Sequence, residues 1–210
     1  MTVRTLLGRG HHAQGEIAVC DDEPAALAIS LGGAPKLYAH TDPNEDAALL
    51  VRGEGGLLLA VADGHGGADA AEIAIRILAA RAGPWTEAAW PCGDWKSIAL
   101  SVLLEANAAI CNAAARGGRR LSRTTLAFAV VRPRDPVIRF ASIGDSHVFH
   151  VTPEGALDLA RAQAHDAGRA PEGGTYFLGF GEESAESLAG KLHAADEPLL
   201  RTRALVLATD

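Results

Sequence analysis

The sequence contains few cysteines, and they are not paired. Cys20, Cys92 and Cys111 are the three cysteines among 210 residues, and none belongs to a C-x-x-C pair. An odd number without paired spacing argues against a disulfide framework and against a cysteine zinc site. Reduced thiols in a cytoplasmic protein are therefore the simplest interpretation.

Positive charge and long apolar runs are also scarce. Lysine and arginine number 19 against 26 aspartates and glutamates, and the formal net charge is -7. Nucleic-acid-binding domains usually present a basic face, and the cluster Arg119-Arg120 with Arg123 is interpreted as a solvated turn. No run approaches the roughly 18 apolar residues of a membrane helix, and the N-terminus lacks the apolar core of a signal peptide. We expect a cytoplasmic protein that binds neither nucleic acid nor membrane.

What the sequence does contain is enough apolar residues for one globular domain over residues 1–210. Hydrophobic residues make up 48% of the chain and charged residues 21%, which is typical of a folded domain. Helices are predicted at 69–81, ended by Gly83-Pro84, and at 94–116, where Asp94 serves as the N-terminal cap.

Strands are predicted from apolar runs and alternating patterns. They fall at 16–19, 47–51, 57–62, 125–131, 137–143, 147–151 and 204–208. The strands between 125 and 151 are predicted to form a β-meander, and residues 160–200 to be rich in loops. Strands, then two helices, then hairpins do not alternate as βαβ units, so we predict an α+β fold with helices outside antiparallel sheets.

Three predicted strands end in an aspartate. Asp63 follows LLLAVA, Asp145 follows RFASIG and Asp210 follows ALVLAT. Each alone is interpreted as a turn residue. Together they suggest a metal site, because buried charge must be paired or bound to a cation. Carboxylate oxygens suit Mg²⁺ or Mn²⁺ rather than zinc.

The segment Asp63-Gly64-His65-Gly66-Gly67 is the most specific pattern in the chain. Its glycines allow the backbone to approach an ion or a phosphate closely and can expose the Gly64 carbonyl. A histidine there titrates near neutral pH and can donate a proton to a leaving group. The alternative interpretation is a flexible glycine-rich turn with an exposed histidine.

This segment resembles the DGHGG signature of PP2C-type (PPM) metal-dependent protein serine/threonine phosphatases, especially bacterial ones. Four further segments are similar to motifs of that family and occur in its order: Asn44-Glu45-Asp46, Thr124-Thr125, Ile143-Gly144-Asp145-Ser146 and Leu207-Ala208-Thr209-Asp210. The resemblance implies a layered α-β-β-α sandwich of antiparallel sheets flanked by helices. It also implies two Mn²⁺ or Mg²⁺ ions, with a third, weaker site.

The resemblance further implies roles for individual residues. The implied metal-binding oxygen donors are Asp63, the carbonyl of Gly64, Asp210, Asp145, Asp46 and Glu45. Asp63 would bridge both ions, Glu45 and Asp46 would hold metal-bound waters, and Asp145 would belong to the third position. His65 and Asp63 would be the catalytic residues, with His65 as the general acid.

The sequence also departs from the family pattern. Thr41 stands where bacterial members carry a phosphate-binding arginine, and the adjacent His40 is a possible substitute. Arg123 replaces a glycine and is either a surface residue or a relocated phosphate ligand. The family continues beyond the position of Asp210 with a further strand and a metal ligand, so we expect an exposed sheet edge.

Two hypotheses of function follow. The first is an enzyme that dephosphorylates serine and threonine in a protein phosphorylated by a bacterial kinase; small phosphate esters are a related substrate class. The alternative is a weak or inactive pseudophosphatase that binds a phosphoprotein or a kinase.

Overall fold

The computed structural model describes residues 1–32, 42, 44–88, 90, 93–117, 122–161 and 176–209. The strands within these ranges are β1 (Thr2–Leu7), β2 (Ile17–Asp22), β3 (Ala25–Ser30), β4 (Ala47–Arg52), β5 (Leu57–Ala62), β6 (Gly64–His65), β7 (Arg123–Thr124), β8 (Leu126–Val131), β9 (Val137–Ile143), β10 (His147–Thr152), β11 (Gly155–Asp158), β12 (His193–Pro198) and β13 (Ala204–Ala208). The helices are α1 (Asp69–Thr86), α2 (Trp95–Gly117) and α3 (Ala185–Lys191), with a 3-10 turn at Gly8–Gly10.

The centre of the fold is a six-stranded sheet in the order β1-β4-β5-β8-β9-β12. Every neighbouring pair in this sheet is antiparallel. Strands β4 and β8 each have five buried residues out of six. Near-continuous burial of this kind requires both faces of the sheet to be covered.

The helices cover one face of this sheet. Trp85 of α1 and Trp95 of α2 pack against Phe128 of β8, with ring centroids 6.3 Å and 5.7 Å from the phenylalanine. The Trp95 indole N–H donates a hydrogen bond of 2.7 Å to the Phe140 carbonyl, which satisfies the polar end of a buried ring. By length and composition α2 could also cross a membrane, contrary to the sequence expectation. Core helices pass the same test, and the buried side of α2 is part of this core.

Two smaller sheets cover the opposite face. The three-stranded sheet β11-β10-β13 packs its Val148, Leu205 and Leu207 against Ala129 and Phe140 of the large sheet. The β2-β3 hairpin covers the β1-β4 end through a separate apolar cluster. Antiparallel sheets stack face to face with helices outside them, and the predicted α+β fold class is confirmed. Helices α1, α2 and α3 all contribute to one apolar cluster on the same face of the six-stranded sheet.

The prediction that Gly83-Pro84 ends the first helix was wrong, because α1 continues to Thr86. Proline near a helix end removes one backbone hydrogen bond, and tertiary contacts compensate here. The buried Arg132 guanidinium donates to the carbonyls of Trp85 and Glu87, both at 2.8 Å, and to that of Ala88 at 3.1 Å. These bonds satisfy carbonyls at the end of the helix.

The prediction of a continuous meander was also wrong. β9 pairs with β8 and β12, whereas β10 belongs to the other sheet. The turn at 144–146 therefore carries the chain from one sheet to the other, and Gly144 adopts φ +100° there. Strand β12 and helix α3 lie in the region predicted as loops. The sequence HAADEP of β12 has little apolar pattern because β12 is an edge strand, which also tolerates proline.

Candidate active site

Four strand ends meet at one end of the six-stranded sheet. The β4–β5 register pairs Ala47 with Ala62, and one further step sets Asp46 opposite Asp63. The β5–β8 and β8–β9 registers extend the row to Thr125 and Gly144. The sheet therefore aligns residues from four of the five predicted motifs, although they are far apart in sequence.

Two buried threonines fix the position of Asp63. The Thr125 N–H donates to the Asp63 carbonyl at 3.0 Å, and the Asp63 N–H donates to Thr125 Oγ1 at 3.2 Å. Thr124 Oγ1 donates to the same carbonyl at 2.8 Å. Thr125 Oγ1 also lies 2.7 Å from Ser146 Oγ, which ties the end of β5 to the turn that links the sheets.

Glu45 organises the glycine-rich segment that follows. Its carboxylate is buried and accepts the Gly66 N–H at 3.0 Å through one oxygen and the Asp42 N–H at 3.3 Å through the other. At Gly64 a Cβ would lie 2.2 Å from the Glu45 carbonyl oxygen, so no larger residue fits. Gly66 has φ +81°, a conformation that glycine adopts without strain. The segment thus packs against Glu45.

The start of α1 is held by residues from other segments. The capping residue Ala68 offers no side-chain hydrogen bond. Instead, the Ala68 N–H donates to Asp42 Oδ2 and the Ala70 N–H to Ser122 Oγ, both at 3.0 Å. The sequence analysis missed Asp42 and Ser122. No local signal could reveal them, since they lie 26 and 52 residues from the groups they cap.

Arg9 was missed as well, and it crosslinks the same region. Its guanidinium donates to Asp69 at 2.6 Å and to Asp42 at 3.3 Å, and it lies 3.6 Å from Glu72. The hydrogen bond to Asp69 raises the pKa of Arg9, burial opposes this change, and the charges of Glu72 and Asp42 add to it. The cation thereby compensates three carboxylates around the start of α1.

His65 lies beside Arg123 on the short ladder between β6 and β7. The two residues are directly opposite in the register. The His65 ring is half-buried and lies 5.5 Å from the Phe177 ring, centroid to centroid. The imidazole is thus at the edge of the site, between the glycine-rich segment and the aromatic residues near 177.

Asp145 lies in the turn between the sheets and is half-buried. The two sheets also meet where Thr209 Oγ1 donates to Asp46 Oδ2 at 3.3 Å. Three predicted site residues, His40, Thr41 and Asp210, fall outside the described residues.

The described residues can be tested for a fit to a divalent cation. Within residues 1–32, 42, 44–88, 90, 93–117, 122–161 and 176–209, no three His, Cys, Asp or Glu side chains group closely enough to hold a metal ion. The facing Asp46 and Asp63, with the adjacent Gly64 carbonyl, nevertheless provide oxygen donors only. This donor chemistry fits Mg²⁺ or Mn²⁺.

Solved structures with the same fold include serine/threonine phosphatases and a Stage II sporulation E family protein. Serine/threonine phosphatase Stp1 from Staphylococcus aureus matches with a TM-score of 0.61 and 17% identity, over 83% of this chain and 73% of that chain. A Stage II sporulation E family protein from Thermanaerovibrio acidaminovorans matches with a TM-score of 0.51 and 23% identity, over 77% and 79% of the two chains. The catalytic domain of the phosphatase PstP, in complex with two manganese ions, gives 0.50 and 19% over 93% and 74%.

Sequence comparison identifies the family directly. No curated protein sequence matches the chain. The family model described as protein phosphatase 2C matches residues 36–210, which include all five motifs. The chain therefore belongs to the protein phosphatase 2C family.

Proposed function

We propose that the chain hydrolyses phosphoserine and phosphothreonine in proteins, using two Mn²⁺ or Mg²⁺ ions. One observation carries the proposal: the glycine-rich segment at 63–67 begins where four strand ends converge, with Asp46 opposite Asp63. Family membership and the manganese-containing structural relative support this reading.

The residues that would hold the ions are Asp63, the Gly64 carbonyl and Asp46, together with Asp210. Glu45 would act through water and Asp145 at a third position. Bound divalent ions lower the pKa of water and stabilise negative charge on phosphoryl oxygens. The hydrogen bonds of Thr124 and Thr125 keep the Asp63 backbone fixed, which preserves the spacing of the oxygen donors.

His65 would act on the leaving group. A protonated ring nitrogen would donate its proton to the departing serine or threonine oxygen, so that the alcohol leaves uncharged. The contact with Phe177 restricts the ring orientation, and the backbone bond from Gly66 to Glu45 fixes the segment that carries it. Histidine suits this role because its ordinary pKa lies near neutrality.

The substrate would be a cytoplasmic protein phosphorylated by a bacterial serine/threonine kinase. The phosphoprotein substrate follows from the family, whereas the kinase and the cytoplasmic location stay predictions.

A second candidate is a pseudophosphatase that binds a phosphoprotein or a kinase without turnover. The observation that favours it is Thr41, which stands at the position of a phosphate-binding arginine and cannot form a bidentate charged pair.

Turnover of a phosphothreonine peptide distinguishes the two candidates. The assay compares Mn²⁺ with EDTA for the wild type, for Asp63→Asn and for the control Asp196→Asn, whose carboxylate lies on the edge strand β12. Mn²⁺ binding is measured in parallel by isothermal titration calorimetry. The enzyme predicts Mn²⁺-dependent turnover that falls by at least about 100-fold in Asp63→Asn and is retained in the control.

The calorimetry gives an independent result. Weaker Mn²⁺ binding in Asp63→Asn alone supports the assigned donors, whatever the turnover. Mn²⁺ binding without turnover favours the pseudophosphatase, whereas turnover that persists in EDTA would refute metal dependence.

A further inference from the structure

Arg123 packs against two adjacent aromatic rings at the edge of the site. Its guanidinium carbon lies 4.6 Å from the Phe177 ring centroid and 4.8 Å from that of Phe180. The two rings are themselves 6.0 Å apart, and Phe180 is 58% exposed. An arginine in contact with two rings is more restrained than a solvated surface arginine.

This arrangement leaves the hydrogen-bonding edge of the guanidinium available. Aromatic rings interact with the face of the planar group, whereas its five N–H donors point outward in the plane. Within the described ranges Arg123 forms no ion pair with a carboxylate, unlike Arg9, Arg81 and Arg139. The edge therefore offers a bidentate site for an anion, and phosphate is an anion whose geometry matches it.

The position of Arg123 relates this anion site to His65. The two residues are directly opposite on the β6–β7 ladder, where Cβ atoms are roughly 5 Å apart. Both side chains also contact the same Phe177 ring. A phosphoryl group bound by Arg123 would thus lie near the proposed general acid.

We propose that Arg123, restrained by Phe177 and Phe180, is the residue that binds the phosphoryl group of the substrate. The inference rests on the proposed function for its substrate, a phosphorylated serine or threonine. It resolves the choice between a surface arginine and a relocated phosphate ligand. Arg123 also supplies the positive charge that Thr41 does not provide.

The first experiment measures steady-state kinetics with a phosphothreonine peptide, at fixed Mn²⁺, for wild type, Arg123→Ala and Arg123→Lys. Arg134→Ala is the matched control, since Arg134 is exposed in the β8–β9 turn at the far end of the sheet. We expect Arg123→Ala to raise KM and the inhibition constant of inorganic phosphate by roughly tenfold or more, with kcat changed less than threefold. Arg123→Lys keeps the charge but loses the planar fork, so intermediate values are expected.

Support from the rings is tested separately with Phe180→Leu, which keeps an apolar side chain on an exposed position. Loss of the aromatic contact should raise KM by a few-fold and leave the unfolding midpoint within about 1 °C. Equal KM for Phe180→Leu and wild type would show that the aromatic contact does not contribute to phosphate binding by Arg123.

Phosphate binding by Arg123 can be tested even if the chain has no phosphatase activity. If the wild type lacks turnover, direct titration with inorganic phosphate tests Arg123 alone, and weaker binding in Arg123→Ala still supports the site. The proposal is overturned if the wild type binds no phosphate. It is also overturned if KM and phosphate binding in a folded Arg123→Ala or Arg123→Lys stay within twofold of wild type.

Discussion

Replacing Thr125 by valine tests the network that holds the strand ends together. The substitution keeps the shape of the side chain and removes its hydroxyl, which is fully buried. Two hydrogen bonds are lost, one from the Asp63 N–H at 3.2 Å and one with Ser146 Oγ at 2.7 Å. The Ser146 hydroxyl is buried and has no other side-chain partner in the described part of the chain.

The expected cost follows from these contacts. A buried group deprived of its partner costs about 1–3 kcal/mol, and the Asp63 N–H lies in a part-buried region where water relieves some of that cost. We therefore expect Thr125→Val to lower the free energy of unfolding by about 2–3 kcal/mol. That loss is a large fraction of the roughly 5–15 kcal/mol typical of a domain.

Urea unfolding, followed by the fluorescence of the buried tryptophans, measures this loss. Thr125→Ser is the matched control because it keeps the hydroxyl and removes only a methyl group, at about 1 kcal/mol. Ser146→Ala completes a double-mutant cycle, in which a coupling energy of about 1 kcal/mol is expected. A valine variant as stable as the serine variant, or a coupling energy near zero, would refute the reasoning.

Three further predictions concern residues around the fold. Gly144→Ala should cost at least about 2 kcal/mol more than Gly155→Ala by chemical denaturation, because both have positive φ but only at Gly144 would a Cβ meet a side chain, at 2.5 Å. Arg132→Met should lower the free energy of unfolding by about 2–4 kcal/mol in urea, since three carbonyls at the end of α1 lose their donor, and a smaller loss would show that water replaces it. Burial alone raises the pKa of Glu183, but hydrogen bonds from Lys191 and a neighbouring serine outweigh it and lower the pKa. This stabilisation is present above the unfolded pKa of about 4.3 and is lost as pH falls through the folded pKa. The free energies of unfolding of Lys191→Met and wild type, measured against pH, should therefore converge at low pH.

The strand and helix pattern around the site was predictable because it is local. The apolar run at 57–62 and the row of apolar residues in α2 reflect burial on fixed faces of the strand and the helix. The glycine-rich segment is recognised because its composition differs from both. Strands β1 to β3 were mostly missed, apart from the start of β2. Burial alternates in β2, but its exposed positions carry apolar residues such as Ile17 and Val19, so the sequence shows no apolar–polar alternation there. Strand β12 was missed because its edge position leaves little apolar pattern.

The long-range part of the site could not be predicted from local pattern. Asp42 and Ser122 cap α1 from distant segments, and Glu45 binds the glycine-rich segment through backbone groups. The resemblance assigned Glu45 to metal-bound water, whereas the structure describes contacts that hold the segment in place. Register alone sets Asp46 opposite Asp63, and register depends on the whole sheet.

The strand ends that carry the facing aspartates are each tied to another part of the fold. Like charges directly opposite on neighbouring strands destabilise a sheet. The bonds from Thr124 and Thr125 hold the Asp63 backbone, and the bond from Thr209 holds Asp46. Since Thr209 follows a strand of the second sheet, the spacing of the two carboxylates depends on both sheets being stacked. The site is therefore a property of the assembled domain, and a divalent cation placed between the aspartates would stabilise the fold by removing the repulsion that it contains.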